Sequence, residues 1–438
     1  MALYQQFSNA LSASLNDKSK VILALSGGMD SRVLLRLLSI YAKQHPNRQC
    51  IAVHVHHGLS AYAERWLEDC QRWAGEEGIR FEAERVQLNL GDRQSVEKAA
   101  RDARYHALEQ YVDVGDVLLT GQHLDDQAET FLLALKRGSG PKGLSSMAED
   151  MAWGKGRIVR PLLMASQSAI ASYAVQEKLE WVEDESNEDT RFDRNFLRHQ
   201  VMPVLNNRWP SFAHAVHRSA RLCAQQEALL YEMLRPELDV MLGTLGGLSI
   251  SALTPLSTVK RDYLLRLWLE LLSVTLPSER QLQILWQEVA CAQDDANPEL
   301  RLTSGAIRRF DGQLYWVPDS QDISGSSQRW DLSSALRLPD DLGVLSVATI
   351  SQSATMTLNR SALTLPITVM FNPEGLSAHP YGRSGSRKMK KLFQEYRIPS
   401  WQRRRLPILM VNEEVVAVAN LFVDKAFYGS DCELIWDK

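Results

Sequence analysis

Apolar and polar positions change rhythm repeatedly over the first two hundred residues. Val21-Ile22-Leu23-Ala24-Leu25 is an apolar run that stops before a Gly pair, which predicts a short buried strand. The apolar positions after it, Val33, Leu34, Leu37 and Leu38, recur at helical spacing and predict a helix. Cys50 to Val55 reads as a second strand, with His56 to Ser60 as its exit. Ser60 is then a candidate N-cap for a helix with Ala63, Trp66, Leu67, Cys70, Trp73 and Ala74 on one face, stopping at Gly78. Phe81 to Val86 predicts a third strand, and Ser95 a cap for a helix that runs through Tyr111. Val117 to Thr120 is a fourth strand, followed by a helix from Asp125 to Lys136.

Strands alternating with helices at this spacing predict parallel βαβ units, hence an α/β fold with a doubly wound, mostly parallel sheet. Ligands bind beyond the carboxyl ends of such strands, so loops 26–31, 54–60 and 121–129 should share one rim. Past residue 212 the pattern changes. A helix from Ala213 to about Leu234 and amphipathic segments between 249 and 292 predict a linker helix and a mainly helical domain over 213–318. Within it, Asp311-Gly312 separates two apolar runs as a hairpin turn would. The polar run Asp319 to Ser327 opens an expected linker region over 319–364. Residues 365–438 then form a small α+β C-terminal domain. Its Arg387–Tyr396 segment predicts a helix with Met389, Leu392, Phe393 and Tyr396 inward, and strands Ile408–Val411 and Val415–Ala419 close it.

Composition adds limits. At 438 residues there is chain enough for two or three cores. No apolar run approaches a membrane span, and the N-terminus lacks the pattern of a signal peptide. Five scattered cysteines without Cys-x-x-Cys argue against a disulfide framework or structural zinc, so the expected compartment is the cytoplasm. The net charge of −4 hides an uneven distribution: Tyr381 to Arg405 holds nine basic residues and one acidic residue. That density is an electrostatic footprint for a polyanion, with Arg387, Lys388, Lys390, Lys391 and Arg403 as candidate RNA contacts.

The candidate chemistry sits on the rim. Ser26-Gly27-Gly28-Met29-Asp30-Ser31 links strand to helix through small residues whose backbone N–H groups suit an anion. Asp30 beside phosphates implies a cation between them, and Mg²⁺ favours such oxygens. His54, His56 and His57 cannot all face one metal from a strand; such histidines are more often structural or hydrogen-bonding, and contact with nucleotide or RNA is the functional alternative, with His54 the candidate for the nucleotide. Asp126 and Glu129 lie three apart on one helical face near its N-terminus; such a pair can hold an ammonium group or Mg²⁺, or accept a proton. Further on, an acidic run over 183–189 leads into Arg191, Arg194 and Arg198.

The Ser26–Ser31 loop resembles the PP-loop of N-type ATP pyrophosphatases. Taken with His54-Val55-His56-His57-Gly58-Leu59, Ala103-Arg104-Tyr105, His123 to Thr130, Lys136-Arg137-Gly138-Ser139-Gly140, Arg160-Pro161-Leu162-Leu163, Glu183 to Asn187 and Arg194 to Arg198, it resembles the tRNA(Ile)-lysidine synthetases. Met29 stands where that family usually has Val. The resemblance implies a PP-loop catalytic domain over 1–212 that binds ATP and Mg²⁺, with Asp30 as the metal ligand. It implies transfer of free L-lysine to the wobble cytidine of a CAU-anticodon tRNA(Ile), and it is compatible with a homodimer. Asp126 and Glu129 would hold the lysine amine and help remove its proton, while Arg104, Arg194 and Arg198 would contact phosphate or RNA. Other readings are a tRNA thiolase of the same superfamily, which would want paired cysteines; a small-molecule ligase, which would not need the basic domain; and a non-catalytic nucleotide- or RNA-binding module.

Overall fold

The computed structural model describes residues 2–16, 18–58, 60–87, 96–243, 246–293, 296–352, 354–363 and 366–438. Ser95 and Leu59, named above as a cap and a motif position, lie outside them. The chain falls into two compact units, Met1–Leu230 and Tyr231–Lys438.

The first unit is built on a six-stranded sheet. Its elements are α1 (Ala2–Ser14), β1 (Val21–Ala24), α2 (Met29–Gln44), β2 (Cys50–His56), α3 (Ala63–Glu77), β3 (Arg80–Arg85), α4 (Val96–Glu109), β4 (Val117–Leu119), α5 (Leu124–Lys136), β5 (Asp150–Trp153) and β6 (Gly156–Val159). Strand order is β3-β2-β1-β4-β6-β5, parallel throughout except for the edge pair of β5 and β6. Side chains alternate across the central strands, so each face has its own core. Val21, Leu23, Val117 and Leu119 pack with Val33, Leu34, Leu37 and Leu38 of α2, while Ile22, Ile51, Val53 and Leu118 pack with Leu108 of α4. β1 has β2 on one side and β4 on the other, so the order reverses there. That reversal opens a crevice at the carboxyl ends of these strands, where a doubly wound sheet places its ligand.

Three local expectations change. The loop after β1 is shorter than 26–31, because Gly28 is the N-cap and Met29, Asp30 and Ser31 form the first helical turn. His56 is the last residue of β2 and is buried, not part of the exit. Tyr62, not Ser60, precedes the first turn of α3; the Ser60 hydroxyl instead accepts the Tyr62 N–H (3.1 Å).

The second unit joins helices to strands. Thr258–Leu271 and Glu279–Ile284 pack on a four-stranded antiparallel sheet that holds the hairpin Gly305–Phe310 and Gln313–Pro318. Asp311 and Gly312 at its turn both have positive φ (47° and 73°), as a two-residue hairpin needs, so the mainly helical region also carries a small antiparallel sheet. The linker expected over 319–364 is a correction. Ser327–Trp330 pairs with Ile367–Met370, and Val344–Ala348 pairs with the last strand, Cys432–Asp437. These strands share one core with Met389, Leu392 and Phe393. The helix expected from Arg387 starts at Met389, because Arg387 and Lys388 form a short strand with Ser377 and Ala378. Tyr396 is exposed just past its end and stacks on Phe422. Among the described residues, no helix is long and apolar enough to cross a membrane.

Candidate active site

The loop after β1 is held by one hydroxyl. Ser31 Oγ donates to Gly28 O (2.9 Å), accepts the Gly27 N–H (3.1 Å), and lies 3.1 Å from Ser26 Oγ. Gly27 has φ +92°, and a Cβ there would stand 2.8 Å from a Val182 methyl; no other residue fits. Gly121, at the exit of β4, is crowded too, though less so and without a positive φ. A Cβ on it would come within 3.2 Å of Asp30 Cβ, so its absence lets the loops after β1 and β4 close on each other. Asp30 then reaches into the crevice. Its Oδ1 is buried without a hydrogen-bond partner among the described residues, and burial pushes its carboxyl above the usual range.

His123 caps α5, which starts at Leu124, one residue before the expected Asp125. Its Nδ1 accepts the Asp125 N–H (3.2 Å), while Asp126 Oδ2 accepts the His123 N–H (3.1 Å). With Nδ1 accepting, the ring proton is on Nε2, which lies 3.4 Å from Asp126 Oδ2 and 3.9 Å from Asp30 Oδ2. A buried imidazole thus stands between carboxylates from two rim loops. His123 opens the motif His123 to Thr130, and the sequence alone attaches no role to it. Histidine is not among the usual cap residues, so only its place before the helix marked it.

Asp126 and Glu129 do share a face, and it is already engaged. Arg194 Nε donates to Glu129 Oε2 (2.9 Å). Arg198 donates from Nε to Glu129 Oε1 (2.8 Å) and from Nη2 to Asp126 Oδ1 (2.9 Å). Both arginines come from Asp193–Phe196 and the π-helical turn Leu197–Val201, which Lys136 of α5 anchors through Asp193 (2.6 Å). Glu129 is almost fully buried, so these guanidinium groups take the place of water around its carboxyl. Residues expected to reach outward to phosphate therefore lie with the two carboxylates in one four-member cluster.

The remaining rim residues divide. His54 is buried, its Nδ1 2.9 Å from Leu25 O, and burial lowers its pKa; the ring braces β1 against β2. Arg104 is half-buried on α4, with burial and Arg101 both lowering its pKa. It stands beside His57, whose pKa burial and this guanidinium push down to about 4. Among the described residues, no group of three or more His, Cys, Asp or Glu is placed to hold a metal by itself. A cation at Asp30 would need other oxygens, such as those of phosphates.

In the second unit the basic segment is partly neutralised. Arg383 and Arg387 pair with Glu395, Arg404 with Glu374, Arg405 with Asp340, and Arg397 with Asp311. Arg403 donates to Ile398 O (2.9 Å) and is half-buried. Lys388, Lys390 and Lys391 are exposed, with no ion pair among the described residues.

Comparison with known proteins adds to this geometry. A family model described as PP-loop domain matches residues 2–205, one described as TilS substrate binding domain matches 248–315, and one described as TilS substrate C-terminal domain matches 367–436. The chain is 53% identical to the tRNA(Ile)-lysidine synthase of Vibrio parahaemolyticus, covering 100% of this chain and 99% of that one. The corresponding proteins of Vibrio campbellii and Photobacterium profundum are 52% and 48% identical, the match covering 100% and 99% of this chain and 99% of each relative.

Proposed function

This chain belongs to the tRNA(Ile)-lysidine synthase family, and on that premise we propose that it joins free L-lysine to C2 of the wobble cytidine of a CAU-anticodon tRNA(Ile), using ATP and leaving AMP and pyrophosphate. The observation that carries the reading is the match at about half identity along the whole chain, rim and basic segment included. ATP would lie on the Ser26–Ser31 turn, its phosphates against the backbone N–H groups at the start of α2. Mg²⁺ fits the unpartnered Asp30 Oδ1, where it would offset charge on the phosphate oxygens.

The cytidine O2 attacks the α phosphate, pyrophosphate leaves, and an adenylated base remains. The lysine ε-amine then attacks C2, AMP departs, and the modified base pairs with A instead of G. In this scheme Asp126 and Glu129 receive the ammonium group of lysine and take up a proton as the amine attacks. Because Arg194 and Arg198 hold both carboxylates, lysine must share or displace these contacts, and a displaced guanidinium is free to meet the departing phosphate. His123 Nε2–H stands between Asp30 and Asp126 and offsets part of their mutual repulsion.

The test is pyrophosphate release from ATP with a CAU-anticodon transcript and labelled lysine. Release that requires the wobble C, with label retained in the RNA, is expected. Release with a small acceptor and no tRNA points to a small-molecule ligase, and tight tRNA binding without release points to a binding module.

A further inference from the structure

From residue 183 to residue 201 the chain passes over the rim without a buried side chain among those described. Its two phenylalanines, Phe192 and Phe196, are 47% and 49% exposed. Both ends are fixed. The Val182 N–H donates to Gly27 O (3.0 Å) in the turn after β1, and Met202 is buried in one cluster with Leu124 and Ala128 of α5. Between these ends the segment is braced on itself: Asn195 Nδ2 donates to Asp189 O (3.0 Å), and His199 Nε2 lies 2.9 Å from Asn187 O. Its hold on α5 runs through charge, from Asp193 to Lys136, from Arg194 to Glu129, and from Arg198 to Glu129 and Asp126.

A body braced internally and fixed chiefly by polar contacts opens at low cost, because ion pairs near the surface are weak and little apolar area is lost. What it covers is the pair of carboxylates assigned to the lysine amine. Each of their four oxygens already accepts a hydrogen bond: Glu129 Oε1 from Arg198 Nε, Glu129 Oε2 from Arg194 Nε, Asp126 Oδ1 from Arg198 Nη2, and Asp126 Oδ2 from the His123 N–H. An arriving ammonium group meets two cations where it needs two acids. We propose that residues 183–201 form a strap that closes the amine site before lysine binds, with Arg194 and Arg198 as internal stand-ins for the substrate's cation, and that the ε-ammonium of lysine opens it by taking their place. This rests on the reading that Asp126 and Glu129 receive the amine. The apparent affinity for lysine is then the intrinsic affinity multiplied by the fraction of open molecules, so loosening the strap tightens binding. An ordinary structural contact acts the other way: losing it disorders the site and weakens binding.

Lys136 and Asp193 are exposed and pair with each other at the outer end of the strap, so Lys136→Gln cuts one tether and leaves the reacting groups in place. Hydrogen exchange read by mass spectrometry follows the amides of 183–201 in the whole chain without turnover. L-lysine should speed exchange there roughly threefold to tenfold, whereas norleucine, with the same stem and no amine, should not. Lys136→Gln should speed it without lysine, and should lower the KM for lysine about twofold to fivefold at unchanged kcat. Exchange that slows on adding lysine would mean that the strap closes over the amine, and overturns the proposal. So does exchange that answers neither lysine nor the variant, or a KM for lysine that stays or rises in K136Q. If lysine and the variant both speed exchange in a protein that releases no pyrophosphate, the enzymatic reading falls and the strap stands. Release that requires the wobble C, beside a strap that does not respond, sinks the strap alone.

Discussion

Asp30 shows what the site costs the fold at the scale of one residue. Its carboxyl is desolvated at the mouth of the crevice and close to Asp126, and both effects raise its pKa, against the opposing pull of His123 and Arg198. An acid that binds its proton more tightly folded than unfolded makes stability fall as pH rises through the window between its two pKa values. Above that window the penalty is complete; below it, absent. Asp30→Asn should therefore melt higher than the wild type at pH 8, and the gap should close as the pH is lowered through the carboxylate range. The same substitution removes the ligand proposed for the cation, so pyrophosphate release should drop by about 100-fold or more. Thermal melts across pH beside the release assay check both halves. An unchanged rate would take Asp30 out of the catalytic assignment.

At the scale of elements, the sequence was legible where a pattern was long enough to have one meaning. The β1–α2 unit needed only an apolar run, a Gly pair and helical spacing. The start of α2 was less definite, because Met29-Asp30-Ser31 suits a loop or a first helical turn equally. Strands over 327–358 went unseen for a different reason: they are two to five residues long, with Gln328, Arg329 and Ser346 interleaved, too short to display a period. The site was half legible. Spacing puts Asp126 with Glu129 and Arg194 with Arg198, but nothing local says that segments 65 to 72 residues apart meet as ion pairs. The glycines carry a firm expectation. Gly27→Ala places a methyl 2.8 Å from Val182 Cγ2 and 3.1 Å from Cys70 Sγ at φ +92°. The backbone term alone is about 1–2 kcal/mol, so the first unit should melt roughly 4–8 °C lower once the clash is added. ATP should bind more weakly because the turn can no longer close over Ser31 Oγ; calorimetric melts and an ATP titration would show both.

For the whole molecule, the question is how a chain of net charge −4 binds a polyanion. Nine basic residues crowd 381–405, but five of the arginines there are paired with acids, three of those acids lying outside the segment. The formal +8 of that segment therefore overstates the charge available to a ligand, since Glu374, Asp340 and Asp311 offset part of it. Of the four left, Arg403 is half-buried on the Ile398 carbonyl, and Lys388, Lys390 and Lys391 are the exposed, uncompensated remainder among the described residues. They stand together on the solvent side of a strand and helix whose other side, through Met389, Leu392 and Phe393, is fixed in the core. A flexible ammonium on a rigid base is a phosphate contact that reads charge and not sequence. Replacing all three by Gln should weaken tRNA binding by roughly tenfold or more and lower the slope of log affinity against log salt by about two to three. Exposed lysines carry no core contacts, so the melting temperature should hold within a degree or so. Since the PP-loop belongs to the other unit, the KM for ATP at saturating tRNA should not move. Binding isotherms over a salt series settle it: an unchanged slope would mean that RNA is held elsewhere, while a raised KM for ATP would mean that these lysines act on the catalytic unit and not on the RNA.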